Sequence, residues 1–341
     1  MKRSAFIALS LGLGIFIALL TWRGAGMIAE TFVAAGWGIA VVALYHLLPL
    51  LLDAAAMHVL RDRLRDRHMP FLRTLGARWA GEAVNSLMPA GQMGGPVVMA
   101  RMLSDTNGAV SSGGAMVAVS TTQQVLAQSI FALTGVVLLS LRTGSGKVVL
   151  PLIAGIAAFT FAGVMLYRLQ RRGLFARLSG LLSRTGIGRE RPGLIRGAAK
   201  LDRMIDSLYG QAQAVRRCFA LNLMGWFVGT GEVWLALYFL GHPVDFADAL
   251  LLESLGQAVR GIAFAIPGAL GVQEGGFLLL APFVGLTPDT ALALSLCKRA
   301  RELLLGLPGL AYWHWAEHHR RSRDLRNSRG APPHAPPVVE H

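Results

Sequence analysis

Residues 291–310 read Ala-Leu-Ala-Leu-Ser-Leu-Cys-Lys-Arg-Ala-Arg-Glu-Leu-Leu-Leu-Gly-Leu-Pro-Gly-Leu. Lys298, Arg299, Arg301 and Glu302 stand in the middle of a stretch long enough to cross a bilayer. A charge at that depth costs about 3 kcal/mol or more unless it faces protein or a wet cavity. The segment therefore needs other helices around it, and it marks a functional pathway more readily than a passive anchor. Composition agrees. With 341 residues, 53% of them hydrophobic, and a mean hydropathy of +0.49, the chain is too apolar for a soluble domain. It is large enough for one membrane bundle.

The net charge of +14 reads as topogenic cation facing anionic head groups. No nucleic-acid fold signature or aromatic-basic interleaving accompanies it, so nucleic acid is not an expected partner. Cys218 and Cys297 are far apart and read as small hydrophobes. No nucleophile elbow, HExxH, Walker loop or dinucleotide fingerprint occurs, so the sequence predicts no enzyme, catalytic residue, cofactor or metal.

Six spans are expected at about 5–22, 33–57, 112–140, 148–167, 218–240 and 290–314. The first follows Lys2 and Arg3 and lacks a small-x-small cleavage site, so it reads as retained. Two more stretches, 75–103 and 249–287, are apolar but interrupted by Pro and clustered Gly. Between them, 168–217 carries twelve Lys and Arg and two amphipathic pieces, 174–183 and 194–216. Cations also gather at the N-terminus, over 58–78 and in the tail. The positive-inside rule makes all four regions cytoplasmic, with both termini inside a bacterial inner membrane.

That assignment forces 75–103 to begin and end on the cytoplasmic face. It is too short for two crossings of about 20 residues each, so it reads as a re-entrant hairpin. By the same count 249–287 begins and ends outside. The two read alike: Gly81-Glu-Ala-Val84 and Gly256-Gln-Ala-Val259 each precede a Pro, a Gly-rich turn and a Gly-Gly pair. The expected fold class is thus all-α, a polytopic helical membrane protein of about six spans plus two re-entrant helical hairpins in an inverted repeat. The halves are about 33–140 and 218–314, within one transmembrane domain, 1–317. A basic, Pro-rich tail, 318–341, is expected to be disordered.

Polar residues recur at helical spacing in both hairpins. Arg78, Glu82 and Asn85 share one face, as do Glu253, Gln257 and Arg260. They point at one another or at water, either as a substrate site or as structural hydrogen bonds. Gly94 and Gly95, and Gly271, Glu274 and Gly275, begin the ascending arms, where free N–H groups suit an anion. The other reading is that these glycines only permit tight packing. In the last span Lys298, Arg301 and Glu302 share a face. A Lys298–Glu302 pair at i, i+4 leaves Arg301 for an anionic group or Glu274, with Arg299 set aside. An ion network holding the span to the hairpin is the structural alternative. Glu232 is a further buried carboxylate suited to a proton-coupled cycle. His46, Pro49 and Asp53 suggest a kink, and Gln123, Gln124 and Gln128 interhelical hydrogen bonds.

Pro267-Gly-Ala-Leu-Gly-Val-Gln-Glu-Gly-Gly276, the following Gly285-Leu-Thr-Pro288 and Lys298-Arg299 resemble the flippase half of lysylphosphatidylglycerol synthases, the MprF-like proteins. Asn85-Ser-Leu-Met-Pro-Ala-Gly-Gln-Met-Gly-Gly-Pro-Val-Val-Met-Ala-Arg101 resembles more closely the hopanoid-cluster subgroup called HpnL. The resemblance covers about 5–315. It departs at Pro96 and Met99, where relatives tend to carry Glu and Arg, and at Ala269 and Gln273, where they tend to carry Gly and Arg. The resemblance is to the membrane half and not to the soluble aminoacyl-transferring domain. The resemblance implies lipid translocation without aminoacylation, a hopanoid link by association, and membrane lipids with anionic or hopanoid-type head groups as partners. A homo-oligomer, or membrane-bound biosynthetic enzymes served by a non-transporting scaffold, are the other expectations.

Overall fold

A computed structural model describes residues 36–61, 69–88, 94–104, 110–143, 146–184, 192–262, 266, 269 and 271–330. All regular structure among them is helical. The expected span at 5–22 and the hairpin tip at 89–93 lie outside the described residues, as does most of 263–270.

The second expected span is broken into α1 (Gly38–Tyr45) and α2 (Leu47–His58). Pro49 has no N–H for the Tyr45 carbonyl four residues back, and the helix interrupts at His46. Next come α3 (Phe71–Leu87) and α4 (Gly94–Leu103), packed antiparallel. At one end Arg73 donates from Nε to the Met102 carbonyl (3.2 Å) and from Nη2 to that of Ser104 (2.7 Å). At the other, the Gly95 N–H donates to Asn85 Oδ1 (2.8 Å). The arms approach so closely that a Cβ on Gly95 would lie 2.4 Å from the Gly81 carbonyl oxygen. Ten helical residues in α4 reach about 15 Å, half the hydrocarbon thickness.

Two long apolar helices follow, α5 (Val110–Thr143) and α6 (Gly146–Arg171). With Gly38–His58 they are the three stretches, among the described residues, long and apolar enough to cross a membrane. The amphipathic α7 (Leu174–Arg184) and α8 (Pro192–Gly210) form a layer, with α8 against α5. The Asp202 carboxylate of α8 accepts from the free Phe175 and Ala176 N–H groups at the start of α7 (3.1 and 2.7 Å). The helix breaks at Gln211, so 212–216 belong to the next helix and not to the expected 194–216 piece.

That helix is α9 (Ala212–Phe239). After it α10 (Phe246–Ile262) and α11 (Val272–Leu280) form a second antiparallel pair, Gly256 against Phe277 and Gly276 against Val259. Gly271 enters α11 at φ 77, a left-handed conformation that favours glycine. A 3-10 turn, Ala281–Val284, leads to α12 (Pro288–Gly330). Thr287 caps α12 by accepting from the Thr290 N–H (3.2 Å), with Pro288 in the first helical position. The order helix, antiparallel pair of short helices, helix thus occurs twice, as α1/α2–α3–α4–α5 and α9–α10–α11–α12.

Helix α12 runs on to Gly330, so 318–330 is helical; 331–341 lies outside the described residues. Arg101 and Glu317 form an ion pair, and Arg320 donates to Ser104 Oγ (3.0 Å). These contacts tie the extension to the end of α4, and no Pro interrupts it after Pro308.

Two apolar cores are stacked along the bundle. One joins Met57, Leu60, Ala77, Leu103, Met116, Ile205 and Cys218. The other joins Val42, Leu139, Leu237, Leu252, Phe277 and Leu294. On α5 the first core uses 115–119 and the second 132–139; on α9 the second begins at Val233. The polar residues of both helices fall in the gap between, near the middle of α5.

Candidate functional site

That gap holds a cavity of ≈ 250 Å³. Its walls come from α2 (Pro49, Leu50, Asp53), α3 and α4, α5 (Thr121, Gln124, Val125, Gln128), α9 (Gly225, Trp226, Gly229, Glu232), α10 and α12. Of the expected site residues, Arg78, Glu82, Asn85, Glu253, Gln257, Arg260, Arg301 and Glu302 all line it. Helical spacing on two hairpins therefore aims six of these side chains into one space.

The other six sit elsewhere. Gly95 is occupied by Asn85, and Gly94 opens α4 beside it. Gly271 caps α11, and a Cβ on Gly275 would meet nothing within 4 Å. Lys298 and Glu274 are 1% and 0% exposed and lie behind the wall.

Behind the cavity is an ion network. Lys298 Nζ is 2.6 Å from Glu253 Oε2, across to α10, and not paired with Glu302. Arg301 reaches Glu232 Oε1 from Nε and Nη2 (3.1 Å each) and Glu82 Oε1 from Nη1 (3.4 Å). Arg299 takes the partner expected for Arg301: its Nε lies 3.1 Å from Glu274 Oε1, and its Nη1 2.9 Å from Glu302 Oε2. Arg260 Nη1 donates to Glu302 Oε1 (2.7 Å) and to Gln273 Oε1 (2.9 Å). On the far wall Arg78 Nη2 is 2.5 Å from Asp53 Oδ2, which also accepts from Gln124 Nε2 (3.3 Å). Gln128 Nε2 donates to the Gln257 carbonyl (2.8 Å).

The covering of α12 explains the repartnering. Helices α3, α9, α11 and the α1 segment all pack on it, so its charged side chains face protein while Leu303, Leu304 and Leu307 are exposed. Periodicity sets Arg299 apart from its neighbours, yet Glu274 and Glu302 both meet it there.

A scan against known families matches residues 7–309 to the lysylphosphatidylglycerol synthase TM region. The chain belongs to that family. No curated protein and no solved structure matches it. A lysylphosphatidylglycerol synthase TM region is a membrane domain tied to lipid, and the apolar helices agree with a membrane location. Among the family features noted from the sequence, Pro96 and Met99 line the cavity, while Gln273 stands behind it between Arg260 and Ser295 Oγ (3.0 Å).

Sequence reasoning treated His46 and Asp53 only as a kink. His46 in fact bridges Glu82 and Glu232, with ring nitrogens 2.7 and 2.6 Å from them. An ionisable pair two turns apart in an apolar span was the available signal. The arrangement as a whole offers guanidinium donors beside apolar walls (Leu50, Val125, Trp226, Met99). Such a lining suits one end of an amphipathic molecule, with the charged part against Arg and the rest against carbon.

Proposed function

We propose that the protein moves an amphipathic lipid between the leaflets of a bacterial inner membrane, without chemistry on the lipid, and that its substrate is linked to hopanoids. The observation that carries this reading is the polar cavity at mid-height, lined by both broken hairpins and by Arg78, Arg260 and Arg301. Backbone breaks and buried ionisable groups at membrane depth belong where a cavity is lined.

Helix pairing supports an inverted repeat. Helices α1 and α2 pack against α9 antiparallel: Trp37 meets Phe239 edge-on, Tyr45 donates to the Val228 carbonyl (3.0 Å), and Gly225 faces Asp53. Helix α3 packs antiparallel on α12, with Gly76 at Tyr312 and Leu87 at Gly306. Its counterpart α10 packs antiparallel on α5, with Gly135 at Ser254 and Arg142 paired to Asp248. Exchanging the halves exchanges these last two pairs and returns α2–α9 to itself. That is the pattern of a twofold axis in the membrane plane, with the hairpins entering from opposite faces and the site between them. The termini then lie in the cytoplasm, beside the cationic segments.

The test is lipid exchange in proteoliposomes carrying a fluorescent phospholipid. Gly229 lines the cavity, and a Cβ there meets nothing within 4 Å. Gly229→Trp therefore fills the space without breaking an ion pair. The wild-type protein accelerates exchange between leaflets, and the variant keeps its thermal stability while losing that acceleration. Equal exchange with and without the wild-type protein, beside intact capture of biosynthetic enzymes, replaces transport by the scaffold role. Mass spectrometry of co-purifying lipids identifies the head group, and a hopanoid among them supports the subgroup link.

A further inference from the structure

His46 stands between two carboxylates. Its Nδ1 lies 2.6 Å from Glu232 Oε2 and its Nε2 2.7 Å from Glu82 Oε1. Each contact is a hydrogen-bond distance, and each needs a proton between the heavy atoms. A neutral imidazole has one N–H, and two carboxylates have none. The group therefore holds one proton more than those three parts supply. That proton sits on the ring, as imidazolium, or on one Glu, as an acid donating to the ring nitrogen. Both placements give the same charge.

The surrounding charges ask for the same proton. The cations of the network are Arg78, Arg260, Lys298, Arg299 and Arg301, five in all; the acids are Asp53, Glu82, Glu232, Glu253, Glu274 and Glu302, six. One extra proton makes this set neutral, and its loss leaves an uncompensated buried charge.

The groups facing His46 come from every element packed on it. From α3 it meets Glu82, with Arg78 held by Asp53 of α2. From α9 it meets Glu232, which Lys298 of α12 also approaches at 3.9 Å, while Lys298 itself is held by Glu253 of α10. From α1 the Tyr45 hydroxyl is engaged with the Val228 carbonyl. From α12, Arg301 Nη1 is 3.3 Å from His46 Nε2. His46, Glu82 and Arg301 also line a second, smaller space of ≈ 10 Å³ beside Trp79, Leu305 and Gly306, about the room one water needs. His46 and Glu82 thus line both spaces.

We infer that His46, Glu82 and Glu232 form a proton-binding site whose loading is coupled to an anionic head group in the adjoining cavity. The coupling has a definite sign. An anion that draws Arg301 toward the cavity removes a cation from beside Nε2 and adds a negative charge nearby. Both changes favour the proton. By reciprocity, the proton favours the anion. The anion half rests on the lipid reading above; the proton half does not.

Two measurements separate them. In 15N-histidine-labelled protein in nanodiscs at pH 7, the His46 signals, assigned by their loss in His46→Gln, show two protonated ring nitrogens. Alternatively, a carboxylic-acid C=O band is present that Glu82→Gln or Glu232→Gln removes. A neutral ring with no such band overturns the proton site, whatever the protein does with lipid. Calorimetry with short-chain phosphatidylglycerol then reads the coupling. Affinity tightens as pH falls, by at most about tenfold per pH unit for one linked proton, and proton uptake accompanies binding. In His46→Gln the pH dependence is flat. PH-independent binding to the wild-type protein overturns the coupling, and no binding at any pH overturns the lipid reading instead.

Discussion

Lys298 is 1% exposed and has Glu253 Oε2 at 2.6 Å, with Glu232 Oε1 farther off at 3.9 Å, so Glu253 is its near partner in a nearly water-free place. Truncating that partner strands an ammonium, and Glu253→Ala is expected to destabilise the protein by about 3–5 kcal/mol. Removing both charges is different. The double substitution Glu253→Leu with Lys298→Met removes both members of the pair at once, and it recovers most of that loss in thermal unfolding while leaving lipid exchange impaired. If the double variant is as unstable as the single one, the pair acts through packing and not through charge. The same turn shows where sequence reading stops. Lys298, Arg301 and Glu302 were legible as buried ionisable residues, since no other setting tolerates them in an apolar span. Their partners were not legible, because spacing along one helix says nothing of which helices surround it. Arg299 is the clearest case: the helical wheel sets it apart, and Glu274 of another helix meets it there beside Glu302, three residues on.

At the level of helices, Pro and paired Gly interrupt two apolar runs, and each is two short helices in the structure. The structure gives both an antiparallel pairing through close glycine contacts. Their orientation is open to a direct test. Pro70, at the base of the first hairpin, and His242, before the second, are both exposed, while the native Cys218 and Cys297 are buried and stay silent. In intact cells an impermeant maleimide labels a cysteine at His242, and labels one at Pro70 only after permeabilisation. Labelling of both from the same side removes the opposed-hairpin topology. Helix ends were the harder part. Asp202 as a cap for α7 and the extension of α12 beyond 317 involve contacts between distant segments, which a local pattern does not carry.

Over the whole molecule, a polar layer is sandwiched between two apolar cores, and its charges nearly cancel. A layer of this kind costs little when closed, because each ion has a partner. It also binds little when closed, since a guanidinium held by a carboxylate must turn away from it to meet a ligand. An anionic head group therefore competes with the network, and selectivity follows from which cation can be released. Arg260 is the best placed: it lines the cavity and shares Glu302 with Arg299, so Glu302 keeps a partner when Arg260 turns. The thermal stability of the purified protein should report this. Short-chain phosphatidylglycerol at a hundredfold excess over its dissociation constant adds about 2.7 kcal/mol to the folded state. Phosphatidylcholine of the same chain length adds less, and Arg260→Gln removes most of the difference between the two while keeping a neutral hydrogen-bonding group beside Gln273. Equal stabilisation by both lipids, or a difference that Arg260→Gln leaves untouched, means that the cavity does not select by charge. Recognition would then fall to the apolar wall of Leu50, Val125 and Trp226, as a hopanoid ring system requires.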